Sequence, residues 1–317
     1  MQEENKEIQE NILKDFLIGQ QANPEETISK INRLKDLPDS EAVDILCFFA
    51  QKEENPEVLL HIVKTLGKYK DKRSTPVLIE LLTDYKNSKE HSNYFKVRCA
   101  AAKLLGDIKD DRAVVPLMYI MNDKDEYYKI RLTAADALGK IGSDYAVNPL
   151  INIVTDEEEK SLYLRESAVK ALGMIGDERA IDPLISIIET KKGIIDKFTF
   201  LKERTVEALG KLGFNKDRKI DALKKALSDE SPQIKVTAME ALCDIDDERV
   251  ICLLESMIYD NHEEVARNAI TAIYNVTDRG YIIDLLQRSD LPDHCRDEIN
   301  CILEEEDEDD EEYYEDD

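Results

Sequence analysis

Apolar residues recur along the chain with the spacing of a helix, and the helices themselves recur. Four stretches align: FKVRCAAAKLLGDIKDDRAVVPLMYIMND (95–123), YKIRLTAADALGKIGSDYAVNPLINIVTD (128–156), YLRESAVKALGMIGDERAIDPLISIIET (163–190) and, more loosely, LKERTVEALGKLGFNKDRKIDALKKALSD (201–229). A glycine in each serves as a ruler. Gly67, Gly106, Gly139, Gly173 and Gly210 occupy it, and Cys243 and Asn275 stand there in two further copies. The steps between them are 39, 33, 34, 37, 33 and 32 residues. A period in the thirties is that of a stacked helical pair.

Three rows define the first helix of each pair, helix A. Nine residues before the ruler stand Val58, Val97, Ile130, Leu164, Leu201, Ile234 and Ala266. Five before it stand Ile62, Ala101, Ala134, Ala168, Thr205, Ala238 and Ile270, and one before it Leu66, Leu105, Leu138, Leu172, Leu209, Leu242 and Tyr274. Steps of four keep these rows on one helical face, and the small middle row allows neighbouring helices to come close. The ruler glycine is expected to end helix A as a left-handed cap. A polar turn such as Asp110-Asp111-Arg112 follows, and then Pro76, Pro116, Pro149 and Pro183 mark the first turn of helix B, where a missing N–H costs nothing. Leu117, Ile120 and Met121, repeated as Leu150, Ile153, Val154 and as Leu184, Ile187, Ile188, form the apolar stripe of B.

The resulting string VRxxAAxALGxIGDxRAVxPLxxxLxD resembles the short HEAT-like repeat of phycobilisome lyases and of many bacterial and archaeal adaptor proteins. The likeness is strong around Gly106, Gly139 and Gly173, fair at Gly67, Gly210 and Cys243, and weak at Asn275. It implies an all-α fold, an α-solenoid of about seven to eight stacked helical hairpins over residues 25–303. An earlier pair is expected at Glu25–Asp36 and Ser40–Lys52. Residues 1–24 are expected to hold an N-terminal capping helix, at 6–20. The resemblance also implies that B helices line the concave side, so that exposed B positions Glu80, Tyr119, Asn152 and Ser186 form a shallow groove for a protein or peptide.

Composition narrows the partner. The chain has 317 residues, 69 acidic against 43 basic, and a formal net charge of −26. That sign removes the electrostatic drive for direct binding to nucleic acid or an anionic membrane. No stretch is long and apolar enough for a membrane span, and the first residues lack the pattern of a signal peptide. Twelve of the acids lie in EEEDEDDEEYYEDD, residues 304–317, which by composition is a disordered acidic tail. Such a tail serves solubility, or holds a basic client, or holds calcium loosely. The six cysteines show no CxxC pair and read as reduced thiols in a cytoplasmic protein, with Cys295 and Cys301 expected to be the exposed ones.

Candidate chemistry is sparse. Eight residues before the ruler runs a basic ladder, Arg98, Arg131, Arg165, Lys202, Lys235 and Arg267, broken by Leu59. It reads either as a strip for an anionic ligand or as a structural row paired with the turn acids Asp71, Asp110, Asp177 and Asp247. Aromatics precede several A helices: Tyr94-Phe95, Tyr127-Tyr128, Tyr163, Phe198 and Phe200. They pack under the loop edge or form a rim for a partner. Insertions at 86–93 and 191–199 account for the two long steps, and the second, with Ile194, Ile195 and Phe198, is expected to be a partner-contact loop. Deoxyhypusine hydroxylase, a helical-repeat enzyme, holds two irons on several His-Glu pairs; here His262-Glu263 is the only such dipeptide. With no HExxH, GxSxG or GxxxxGK[ST] string, no catalytic, metal or cofactor residue is assigned. The leading expectation is a non-catalytic interaction scaffold or adaptor for another protein or peptide. The alternatives are a bilin lyase-type chromophore attachment factor and a chaperone holding a basic client at the acidic tail.

Overall fold

The computed structural model of the chain describes residues 23–34, 37–83, 94–189, 195–213 and 216–315. The expected capping helix, the 86–93 insertion and Ile194 lie outside them. The chain divides into two compact units, residues 1–153 and 154–317. Among the described residues the secondary structure is helical throughout, as seventeen α-helices with short 3-10 turns before several of the B helices.

The first unit holds α1 (Pro24–Arg33), α2 (Asp39–Ala50), α3 (Pro56–Tyr69), α4 (Thr75–Thr83), α5 (Tyr94–Ile108), α6 (Val114–Asn122) and α7 (Tyr128–Ile141). Helix α8 (Val147–Thr155) carries the chain into the second unit. There follow α9 (Leu162–Ile175), α10 (Ile181–Glu189), α11 (Ile195–Lys211), α12 (Lys216–Ala226), α13 (Pro232–Cys243), α14 (Glu248–Met257), α15 (Glu263–Val276), α16 (Arg279–Leu286) and α17 (Asp293–Glu315). Odd-numbered helices up to α15 are A helices and their even-numbered successors B helices. This makes eight hairpins, and α17 packs on α15 at the C-terminal end. Its backbone is helical to Glu315, through the acidic run that composition assigned to a disordered tail. Glutamate propagates a helix well once a packed segment has nucleated it.

The predicted rows make the core. Every residue of the first two A rows is buried, Thr205 included, its hydroxyl donating to the Leu201 carbonyl. The third row is buried except for Tyr274, which is half-buried. The B stripe is likewise buried apart from Ile187.

The ruler glycine does something other than cap. Helix A runs on past Gly106, Gly139 and Gly173 by two residues. The left-handed positions come three residues after the ruler, at Lys70, Lys109, Gly142 and Gly176, with φ of 50°, 56°, 79° and 78°. The ruler is instead a point of close approach between successive A helices. A Cβ on Gly106 would stand 2.7 Å from the Cα of Ala137. One on Gly173 would stand 2.9 Å from the Cα of Ala208, and one on Gly210 2.9 Å from the Cβ of Ala241. At Gly67 the facing residue is Leu104, and a Cβ would find its Cδ1 at an ordinary 3.7 Å. The two positions therefore respond oppositely to one substitution. Gly106→Ala forces the helices apart and is expected to lower stability by about 1–3 kcal/mol. Gly67→Ala meets no obstacle and is expected to raise it by up to about 1 kcal/mol through helix propensity. Urea midpoints of the two variants, moving in opposite directions, are the check; equal shifts would contradict the close approach.

Candidate functional site

The basic ladder is mostly internal. Arg98 is 2% exposed. Its Nε donates to the Leu82 carbonyl at 2.8 Å, and its two terminal nitrogens reach Glu126 Oε1 and Oε2 at 3.0 and 2.5 Å. Arg131 Nε donates to the Met121 carbonyl at 2.9 Å. Arg165 donates to the Asp156 carbonyl. Lys202 pairs with Asp229 at 2.8 Å and Lys235 with Asp260 at 2.5 Å. An unforeseen rung, Arg296, donates to the carbonyls of Leu286 and Arg288. Leu82, Met121 and Leu286 lie at the ends of B helices, where orphan carbonyls attract cations. Arg98, Arg131, Arg165 and Arg296 therefore close the end of the preceding B helix, while Arg98, Lys202 and Lys235 tie down the connection after their own hairpin. Arg267 differs: it is exposed and, with Glu263, Glu264, Asn268, Thr271 and Glu298, lines a shallow cavity of about 430 Å³.

The turn acids are not the ladder's partners. They serve a second device, a clamp formed by Asp and the Arg two residues on. Asp71, Asp110, Asp177 and Asp247 each accept from the backbone N–H of Arg73, Arg112, Arg179 and Arg249 and from the same guanidinium. Three of the clamp arginines also reach the preceding hairpin: Arg73 donates to the Ser40 carbonyl and Asp44, Arg112 to the Lys72 carbonyl, and Arg249 to Asp217. The pairing within sequence-local turns wins because it costs no loop closure, whereas the ladder bases lie near the start of helix A, at the opposite end from the turn. The Arg112 hydrogen bond holds the Asp110 carboxyl down to about 2, assisted by the Thr75 hydroxyl at 3.0 Å. Its folded pKa lies below the unfolded value of about 3.9, so the stabilisation is present above that value and is lost as pH falls through about 4 towards about 2. Asp110→Asn is accordingly expected to be less stable than the parent by a constant margin from pH 7 to about 5, with the margin closing below about 4. Urea titrations at stepped pH test this; a margin that widens in acid would refute it.

The turn between α7 and α8 is among those that lack the clamp. Between α7 and α8 the sequence is Ser143-Asp144-Tyr145. Ser143 makes no side-chain capping bond, and Tyr145, in the arginine's place, is 78% exposed. Its turn packs against α6, whose Val115 and Tyr119 are 70% and 65% exposed. Sequence reasoning singled out Tyr119 and missed the other two; the signal was a tyrosine in a row that reads Arg73, Arg112, Tyr145, Arg179, Lys216, Arg249 and Tyr281.

The structure places Glu80, Tyr119 and Asn152 at the same register of successive B helices α4, α6 and α8 in the first unit, all exposed. One turn nearer the start of these helices stand Pro76, Val115 and Asn148, also largely exposed. Of the six, only Glu80 is charged, in a chain with 35% charged residues. Ser186 is exposed on α10 in the second unit, its hydroxyl donating to the Pro183 carbonyl. Ile195 and Phe198, expected in a loop, belong to the first turns of α11, because the inserted residues lengthen that A helix to 17 residues.

The aromatic edge is partly built. Phe95 meets Tyr127 edge-on with ring centroids 5.3 Å apart, and Tyr127 stands 5.0 Å from Tyr128. Tyr94 donates to the Glu54 carbonyl. Tyr163 is 69% exposed, and Arg204 lies over the Phe200 ring. Of the thiols, Cys295 is buried rather than exposed, on the inward side of α17, and burial pushes it up to about 11; Cys252 and Cys301 are the exposed ones. Among the described residues no group of three or more His, Cys, Asp or Glu is placed to hold a metal ion, and no helix is long and apolar enough to cross a membrane.

Stacked helical hairpins with an inward stripe on each helix define an α-solenoid. The family model for HEAT repeats matches residues 17–90, 89–162, 124–201 and 196–274, and the chain belongs to that family. A search of curated protein sequences finds no match. Among solved structures, the chain is similar to the karyopherin Kap121p bound to the extreme C-terminus of the protein phosphatase Cdc14p, at 14% identity and a TM-score of 0.54, covering 88% of this chain and 36% of that one. It is also similar to the CpcE–CpcF complex of phycocyanin lyase from a Nostoc species, at 21% identity, a TM-score of 0.44 and coverage of 71% and 92%. Human deoxyhypusine hydroxylase matches at 18% identity, a TM-score of 0.35 and coverage of 86% and 96%. The likeness to the karyopherin speaks to fold alone.

Proposed function

We propose that this chain is a non-catalytic interaction scaffold of the cytoplasm that holds another protein, or a peptide segment of one, on the exposed face of its B helices. One observation carries the reading. Pro76, Glu80, Val115, Tyr119, Asn148 and Asn152 are exposed at two repeating registers and hold a single charge, in a chain with 35% charged residues. Depletion of charge with retained aromatic surface marks the centres of protein interfaces. A repeating row of this kind spaces contacts at regular intervals along an extended partner. The six unpaired cysteines accord with a reducing compartment. The test is co-purification at moderate salt from the native source, comparing the parent chain with Tyr119→Ala/Asn152→Ala. A protein retained by the parent and lost by the variant is the expected result. Recovery of no protein partner, or equal recovery by both, would overturn the reading.

A further inference from the structure

The broken clamp and the B-helix row meet in the first unit. Four of the turns spend an aspartate and an arginine on closing the joint to the helix that follows. The turn before α8 gives up both and presents a phenol ring at 78% exposure. That ring belongs to a turn packed on α6, beside the helix whose Val115 and Tyr119 are 70% and 65% exposed. Nothing in the packing of the hairpin asks for this, since the buried rows continue unbroken through Ile130, Ala134, Leu138 and Leu150. A turn that exposes a phenol ring, packed against a helix that exposes two further large side chains, forms the kind of surface that a partner covers.

The surroundings state the partner's chemistry. Glu80, on the neighbouring B helix, and Asp111, at the foot of α6, are exposed acids. The nearby guanidinium of Arg112 is engaged by Asp110 and by the Lys72 carbonyl. Asn148 and Asn152, also exposed, carry both a donor and an acceptor, which suits the main chain of an extended segment. The whole chain, at −26, repels acidic partners.

We infer that Val115, Tyr119 and Tyr145 form the anchor point of the scaffold's binding face, which takes one apolar side chain of an extended protein segment flanked by lysine or arginine. This rests on the scaffold reading above and adds the place and the partner class to it.

The probes are fluorescein-labelled dodecapeptides: one set with a central Leu or Phe between Lys and Arg residues, a second with Glu in place of the flanking bases, and a third with Ala at the centre. Anisotropy is read against the full chain. The first set is expected to bind saturably and more weakly as salt rises, with the other two weaker by about tenfold or more. Tyr145→Arg, which installs the residue of the four clamped turns, and Tyr119→Ser are each expected to weaken the first set by about tenfold, with unchanged thermal unfolding because both side chains are exposed. Glu80→Lys is expected to narrow the preference for basic flanks. No saturable binding of the first set up to millimolar concentration overturns the inference, as does binding that ignores both tyrosine variants. Concentration-dependent self-association abolished by Tyr145→Arg would also overturn it, by making the occupant a second copy. A native partner still lost by Tyr119→Ala/Asn152→Ala while the peptides fail would remove this partner class and leave the scaffold reading standing.

Discussion

Replacing Arg98 by Ala is expected to cost about 3–5 kcal/mol of stability, the penalty for stranding one member of a buried ion pair. Glu126, the partner, is 6% exposed on its side chain, and its Oε1 also accepts from the Tyr127 backbone at the entry to α7. Losing the guanidinium leaves that carboxylate without its cation, and leaves the Leu82 carbonyl at the end of α4 without its donor. The effect is therefore read at two joints of the first unit at once. The compensated variant Arg98→Met/Glu126→Leu removes both charges and is expected to recover most of the loss, because a buried pair replaced by apolar groups of similar size is close to neutral. Arg267→Ala supplies the contrast. The same register is exposed there, so its urea midpoint is expected to move by no more than about 0.5 kcal/mol equivalent. A small loss at Arg98, or equal losses at Arg98 and Arg267, would show that the ladder is not sealed inside the first unit.

Leu138→Ala is expected to cost about 2–5 kcal/mol. The side chain is fully buried on α7 and belongs to the third A row, so its removal leaves a cavity in a layer whose backbones are already held close by Gly106 and Ala137. Little collapse is available to fill it, which favours the upper part of the range. Each hairpin is stabilised largely by its neighbours, so the loss should also loosen the coupling between them. The denaturant slope is then expected to fall along with the midpoint as the transition spreads. A midpoint within error of the parent would mean that the A-helix face is misassigned.

Much of the fold was legible in the chain because the period does the work. A residue such as Ile130 or Ala134 is uninformative alone; its recurrence at the same distance from a ruler in seven copies identifies a buried face without coordinates. The proline in the first turn of B is legible for the same reason. The ruler glycine illustrates the other case. Its recurrence was plain, and its cause was not: a glycine that ends a helix and a glycine that admits a neighbouring backbone look alike in one dimension. Only the position of Ala137 across the A layer separates them. The ladder behaves likewise. Its regularity was visible, but Arg98 and Glu126 lie 28 residues apart, and no local pattern joins them. Cys295 was read as exposed because it stands near the end of the folded part, whereas α17 turns it inward. Tyr145 was overlooked because an irregularity carries weight only once the rule it breaks has been given a geometry.

By itself, then, the sequence determined that this protein is an array of helical pairs, which residues face inward, and that its charge is unfavourable to nucleic acid. Those properties follow from spacing and composition, both of which are linear quantities. The tertiary structure decided which helix lies against which glycine, which acid answers which base, and that the turn exposing Tyr145 packs against the helix exposing Val115 and Tyr119. These depend on distances between residues a full repeat apart, and those distances are set by how the hairpins pack.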